Sequence, residues 1–211
     1  MTPGGIRERL IAQRVVPVLR MASAEKAERA VDCLLSAGFS TVEITLTIPG
    51  AVELIERIAR RAESLLLVGA GTVRDLDAAR RCLDAGARFL VSPCVVPGMA
   101  AAAHAAGCAA LTGGFTPGEV LAAHRDGADI VKVFPAATGG PAHVRAIHTV
   151  FPEIALCPTG GVSLQNFEAY FAAGAALVGV GNDILDQAAL EAGDDERASA
   201  HAHRFLQHAA A

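Results

Sequence analysis

The chain has 211 residues, 52% of them hydrophobic, and a formal net charge of −4 at pH 7. That length supports one substantial core, and a single α/β domain over residues 1–211 is expected without a second unit. A slightly acidic chain with no Trp and one Tyr lacks the basic footprint and stacking platforms of a nucleic-acid binder, so the expected partners are small molecules.

Residues 1–10 lack the apolar stretch of a signal peptide. From there, short aliphatic or β-branched runs alternate with Ala-rich amphipathic ones, the pattern of βα units on a parallel sheet. Strands are predicted near 15–20, 40–46, 65–70, 88–92, 108–112, 129–134, 154–158 and 176–180. Helices are predicted near 24–37, 50–62, 75–85, 97–106, 117–126, 141–150 and 163–173, with a last one from about 182 onward. Eight such units make a (β/α)8 TIM barrel. Gly38, Gly86, Gly107, Gly127 and Gly174 each separate a helical stretch from a strand, where a left-handed residue ends a helix cheaply. The acidic segment 191–196 reads as a solvated turn. No apolar run is long enough to span a bilayer, so no membrane partner is expected. Five cysteines without a C-x-x-C pair indicate neither a disulfide framework nor a zinc site, and a cytoplasmic location is expected.

Only two of the eighteen Lys and Arg residues are lysines, and Lys132 sits in the apolar run Asp-Ile-Val-Lys-Val-Phe-Pro (129–135). Arg would supply charge there equally well, but only Lys can lose its proton. A neutral, desolvated amine is the nucleophile that condenses with a ketone to form a Schiff base. The alternative is a structural lysine whose charge is held by a buried carboxylate. Strand alternation puts Ile130, Lys132 and Phe134 on one face, and Glu43, Thr45 and Thr47 on one face of 42–49, so Lys132 and Glu43 both enter the barrel. A lone carboxylate there is costly; it serves as the lysine's partner or as a proton carrier.

Cys-Pro-Thr-Gly-Gly-Val-Ser (157–163) and Val-Gly-Val-Gly-Asn-Asp (178–183) are Gly-rich strand-to-helix turns after strands seven and eight, where barrels often hold a phosphate. Either alone is equally an ordinary tight turn. Gly69-Ala-Gly-Thr72 lacks a P-loop lysine and reads as a substrate-lining turn with Thr72 as hydroxyl donor. The seven histidines form no ligand set, and no metal or cofactor is expected.

The series Val-Val-Pro-Val-Leu-Arg (15–20), Val-Glu-Ile-Thr-Leu (42–46), Val-Gly-Ala-Gly-Thr-Val (68–73), Phe-Leu-Val-Ser-Pro (89–93), Val-Lys-Val-Phe-Pro-Ala (131–136) and Cys-Pro-Thr-Gly-Gly-Val (157–162) resembles the 2-keto-3-deoxy-6-phosphogluconate/4-hydroxy-2-oxoglutarate aldolase family. The resemblance implies a metal-independent class I lyase of Entner-Doudoroff type, a homotrimer, that splits a phosphorylated 2-keto-3-deoxy sugar acid into pyruvate and glyceraldehyde 3-phosphate. It implies Lys132 as the Schiff-base lysine and Glu43 as the general acid/base. Thr72 would touch the pyruvate carboxylate, Phe134 and Pro93 would wall the pocket, and Thr159, Gly160, Gly161 and Gly181 would meet the distal phosphate and hydroxyls.

Two positions depart from the family pattern. Thr47 stands where gluconate-type members carry an Arg, which leaves Arg20 as the candidate cation for the substrate carboxylate. Asn182 replaces a serine in the last phosphate turn. The stretch 43–49 is closer to galactonate-type relatives and Pro-Thr-Gly-Gly to gluconate-type ones, so the C4 configuration stays open. Further alternatives are another pyruvate-dependent aldolase, such as one acting on 4-hydroxy-2-oxoglutarate, a non-aldolase phosphate-binding barrel such as an isomerase or a thiamin-phosphate-type synthase, and a silent barrel that only binds phosphorylated acids.

Overall fold

All eight predicted strands are present in the computed structural model, which describes residues 1–61 and 66–210. They are β1 (Val15–Leu19), β2 (Thr41–Thr45), β3 (Leu67–Gly71), β4 (Phe89–Val91), β5 (Ala109–Gly114), β6 (Ile130–Val133), β7 (Leu156–Pro158) and β8 (Val178–Val180). Every pairing is parallel, in the order β7-β6-β5-β4-β3-β2-β1-β8, and a bridge between Thr159 and Gly179 closes the seam. Residues 62 and 65, at the ends of a predicted helix and strand, lie outside the described residues.

Alternation along the strands sorts two cores. Side chains such as Val16, Leu67, Phe89, Leu111, Ile130 and Leu177 fill the barrel interior, while Val15, Ile44, Leu90, Val131 and Val133 pack outward against α2 (Ala24–Ser36), α3 (Ala51–Arg61), α4 (Leu76–Asp84), α5 (Met99–Ala105), α6 (Pro117–Arg125), α7 (Ala136–Val150) and α8 (Phe167–Ala172). Both faces of each strand are thus buried, as a helix-covered parallel sheet requires.

A first helix, α1 (Pro3–Gln13), is absent from the sequence-based prediction. Gly4 and Gly5 read as breakers there, yet Thr2 accepts a hydrogen bond from the Gly5 N–H at 3.2 Å and Pro3 starts the helix. Ile6 and Leu10, one turn apart and fully buried, enter the inner cluster and plug the N-terminal mouth. Burying each contributes about 1.5–3 kcal/mol, which offsets the poor propensity of the two glycines. The barrel therefore opens only toward the strand C-termini.

Three other boundaries move. Helix α7 starts at Ala136 rather than 141, because a turn over 136–139 precedes a kink at Gly140 (φ 62°). Helix α8 starts at Phe167 rather than 163, because Asn166 Oδ1 takes the Ser163 N–H at 2.9 Å and holds the chain in a loop. The single last helix is three pieces: a 3-10 turn over Asn182–Ile184, α9 (Gln187–Ala192) and α10 (Asp195–Ala210). Asp186 caps α9 and Gly193 (φ 86°) ends it. The segment 191–196 is thus only partly a turn, and Asp195 opens α10 while pairing with Arg29 at 2.7 Å.

Candidate active site

Lys132 rises from the middle of β6 and Glu43 from the middle of β2, on opposite walls of the barrel. Their side chains meet in the lumen, with Lys132 Nζ 3.6 Å from Glu43 Oε1. Lys132 is 6% exposed and Glu43 3%. The separation is inside Coulombic reach but longer than a hydrogen bond, and Glu43 Oε1 has no hydrogen-bond partner. A buried ion pair gains little net stability because each ion loses several kcal/mol of hydration. An incompletely satisfied one is a better instrument for moving protons than for holding the fold. The Phe134 ring centroid lies 5.4 Å from Nζ, within cation–π range.

Small residues make the room. A side chain on Gly71 of β3 would collide with the Glu43 carboxyl group, and one on Gly179 of β8 with the Thr159 hydroxyl. Beside Lys132 on β7, Cys157 points inward. Burial pushes its thiol up to about 12, so it adds no second anion next to the lysine.

A cavity of about 790 Å³ opens above this pair. All twelve residues singled out in the sequence line it: Lys132, Glu43, Arg20, Thr47, Thr72, Pro93, Phe134, Thr159, Gly160, Gly161, Gly181 and Asn182. Val18, Thr45, Val162, Ser163 and Asp183 line it too. None of these five is given a role by the sequence analysis, although it places Thr45 on the inward face of its strand and Val162, Ser163 and Asp183 at the ends of the two Gly-rich turns. Thr72 holds φ 61°, a rare state for a β-branched residue and a form of strain that gathers at functional sites.

Proton counting assigns the hydroxyls near Arg20. Thr45 Oγ1 donates to the Leu19 carbonyl at 2.8 Å and lies 2.8 Å from Thr47 Oγ1. Each hydroxyl has one proton, so Thr47 donates to Thr45 and presents only lone pairs to the cavity. Arg20 is exposed at the cavity rim, with no hydrogen bond or ion pair among the described residues.

The distal end of the cavity is built from backbone. Ala136 and Ala137, the first residues of α7, donate their N–H groups to the carbonyls of Thr159 (2.8 Å) and Gly160 (2.9 Å), and Asn166 Nδ2 donates to the Gly161 carbonyl at 2.9 Å. Gly160 and Gly161 both take positive φ, 92° and 80°. Among the described residues the N–H groups of Gly161 and Gly181 donate to no protein carbonyl, which leaves them for an anion, while the Gly160 N–H faces β8 across the Thr159–Gly179 bridge. Among the described residues, no Lys or Arg lines this end. Among the described residues, no group of three or more His, Cys, Asp or Glu side chains is placed to hold a metal ion, and no helix is long and apolar enough to cross a membrane.

The family model for KDPG and KHG aldolases matches residues 6–200. The chain belongs to the KDPG and KHG aldolase family. Relatives include a probable 2-dehydro-3-deoxy-6-phosphogalactonate aldolase of Rhizobium meliloti, 37% identical over 85% of each chain. The 2-dehydro-3-deoxy-phosphogluconate aldolase of Dickeya dadantii is 34% identical over 96% of this chain and 95% of its own. The KDPG aldolase of Legionella pneumophila, solved with pyruvate captured as a covalent carbinolamine, superposes with a TM-score of 0.86 at 29% identity, covering 97% of this chain and 98% of that one. The eight-stranded barrel is thus the fold of this family.

Proposed function

We propose that this chain is a carbon–carbon lyase that cleaves 2-keto-3-deoxy-6-phosphogluconate, or its C4 epimer the 6-phosphogalactonate, into pyruvate and glyceraldehyde 3-phosphate through a Schiff base on Lys132. The observation that carries the reading is the buried Lys132–Glu43 pair, 3.6 Å apart with one carboxylate oxygen unpartnered. The neutral amine attacks the C2 ketone, the carbinolamine loses water, and the protonated imine draws electrons from the C3–C4 bond. Glu43 takes the C4 hydroxyl proton as that bond breaks and glyceraldehyde 3-phosphate leaves. Its proton then returns to C3 of the enamine, and water releases pyruvate from Lys132. Arg20 holds the substrate carboxylate, with Thr72 as a hydroxyl donor, Phe134 and Pro93 wall the chain of carbons, and Thr159, Gly160, Gly161, Gly181 and Asn182 receive the phosphate end. The relatives support this assignment by name, and the carbinolamine trapped in the Legionella pneumophila enzyme is the intermediate that the same chemistry requires. The reading extends to a homotrimer acting in the cytoplasm in an Entner-Doudoroff type of sugar-acid breakdown. A mere binder of phosphorylated acids has no use for a carboxylate facing its anionic ligand, so the Glu43 placement favours the lyase.

The test is covalent. Pyruvate with borohydride should inactivate the enzyme and add a reduced three-carbon adduct to the peptide containing Lys132, leaving Lys26 unmodified. Lys132→Arg should abolish both adduct and turnover while keeping the charge. A protein that turns over without a Lys132 adduct is not a class I aldolase. Identifying the C4 epimer made from pyruvate and glyceraldehyde 3-phosphate decides between the two sugar acids.

A further inference from the structure

The turn after β8 is held from below by the C-terminal helix, through a histidine that the proposed chemistry does not use. His201 of α10 places Nε2 2.8 Å from the Asp183 carbonyl oxygen, and its Nδ1 is 2.6 Å from an Arg204 guanidinium nitrogen. A guanidinium only donates and a carbonyl only accepts. Nδ1 therefore carries a lone pair and Nε2 the proton, so Arg204 fixes the tautomer that donates to Asp183. The carboxylate of the same Asp183 takes the Leu164 N–H at 3.1 Å, which lies in the loop after β7. One residue thus joins both Gly-rich turns, and His201 anchors it to α10.

Among the described residues the distal end of the cavity has no Lys or Arg, so an anion there depends on backbone N–H groups, whose affinity depends on their relative aim. Gly160–Gly161 and Gly181 follow different strands, β7 and β8, and the Leu164–Asp183 bond is a cross-link between their turns. We infer that His201 is a positioning residue for anion binding: with Arg204 it fixes Asp183, and so keeps the N–H groups of the β7 and β8 turns convergent on one phosphate. The inference rests on the proposed use of this end for the substrate phosphate. It adds a residue on α10 that touches neither substrate nor the reacting lysine.

His201→Phe keeps a planar ring but removes the donor. His201→Gln keeps an Nε2 donor the same number of bonds from Cα. Inorganic phosphate is titrated into the wild-type protein and both variants while the amide NMR signals of Gly160, Gly161 and Gly181 are followed. Phosphate affinity should fall about ten-fold in His201→Phe, as the loss of about 1.4 kcal/mol of aim would give, and His201→Gln should recover most of it. In condensation with pyruvate, His201→Phe should raise KM for glyceraldehyde 3-phosphate by a similar factor, with KM for unphosphorylated glyceraldehyde and kcat nearly unchanged. Unchanged phosphate affinity in His201→Phe overturns the inference, and so does a loss that His201→Gln does not recover, since the missing Nε2 donor would then not be its cause. Trapping of pyruvate on Lys132 is read in the same samples: its absence in the wild type overturns the aldolase reading, while the phosphate titration still judges the role of His201.

Discussion

The carboxyl group of Glu43 occupies the space that a side chain on Gly71 would need. The two residues sit on neighbouring strands, β2 and β3, where Thr45 is the register partner of Gly71. An inward side chain at 71 and an inward, buried carboxylate at 43 are therefore mutually exclusive.

Gly71→Ala should overpack the barrel at a cost of about 1–3 kcal/mol and displace Glu43 from Lys132. Gly69→Ala, on the same strand, collides with the Phe89 ring instead and leaves the carboxylate alone. Both variants should melt lower, but only Gly71→Ala should lose kcat out of proportion to its folded fraction. Equal kcat in the two would mean that Glu43 tolerates displacement.

Removing the proposed proton carrier while keeping its shape separates its role from that of the lysine. Glu43→Gln should lower kcat by about 10²–10⁴, the usual range for a positioned acid/base. Borohydride should still trap pyruvate on Lys132, more slowly. Complete failure to form the adduct would assign Glu43 to imine formation itself rather than to carbon–carbon cleavage.

Thr47 spends its hydroxyl proton on Thr45, whereas Arg20 is uncommitted at the cavity rim. A hydrogen bond to a charged group is worth about 1.5–3 kcal/mol, so Arg20→Ala should raise KM for pyruvate in condensation roughly 10- to 100-fold. Thr47→Ala should change it less than about three-fold. Equal and small effects would place the carboxylate on backbone N–H groups and Thr72.

Cys33, Cys82, Cys108 and Cys157 are buried and Cys94 is exposed. Burial raises Cys82 to about 11 and Cys157 to about 12, so neither forms thiolate near pH 8. A disulfide reagent should titrate about one thiol in the native protein, on Cys94, and the remaining four only after denaturation. Fast native reaction at Cys157 would show that the barrel interior opens.

Much of this is legible in the sequence. The barrel follows from eight successive βα units, and the inward faces from alternation, which is a property of the backbone and needs no partner. That is why Lys132, Glu43, Thr72 and the two Gly-rich turns could be placed in one lumen from their numbers alone. Helix α1 was missed because its signal is tertiary: Gly4 and Gly5 speak against a helix locally, and only the apolar mouth that Ile6 and Leu10 fill makes one worthwhile. The same holds for His201. Spacing along a helix says which residues share its face, but not that one face lies under the turn after β8.

Sequence by itself determined the repeating βα pattern, the family, and the two residues, Lys132 and Glu43, proposed as nucleophile and acid/base. Composition, periodicity and motif order are local properties of the chain. The tertiary structure alone decided the 3.6 Å approach of Lys132 to Glu43, the commitment of the Thr47 hydroxyl, the plugged N-terminal mouth and the Asp183 link between two loops. These depend on distances across the barrel between segments far apart in the chain, and such distances are set by how eight strands close on one another and how glycines leave space inside, which no single segment encodes.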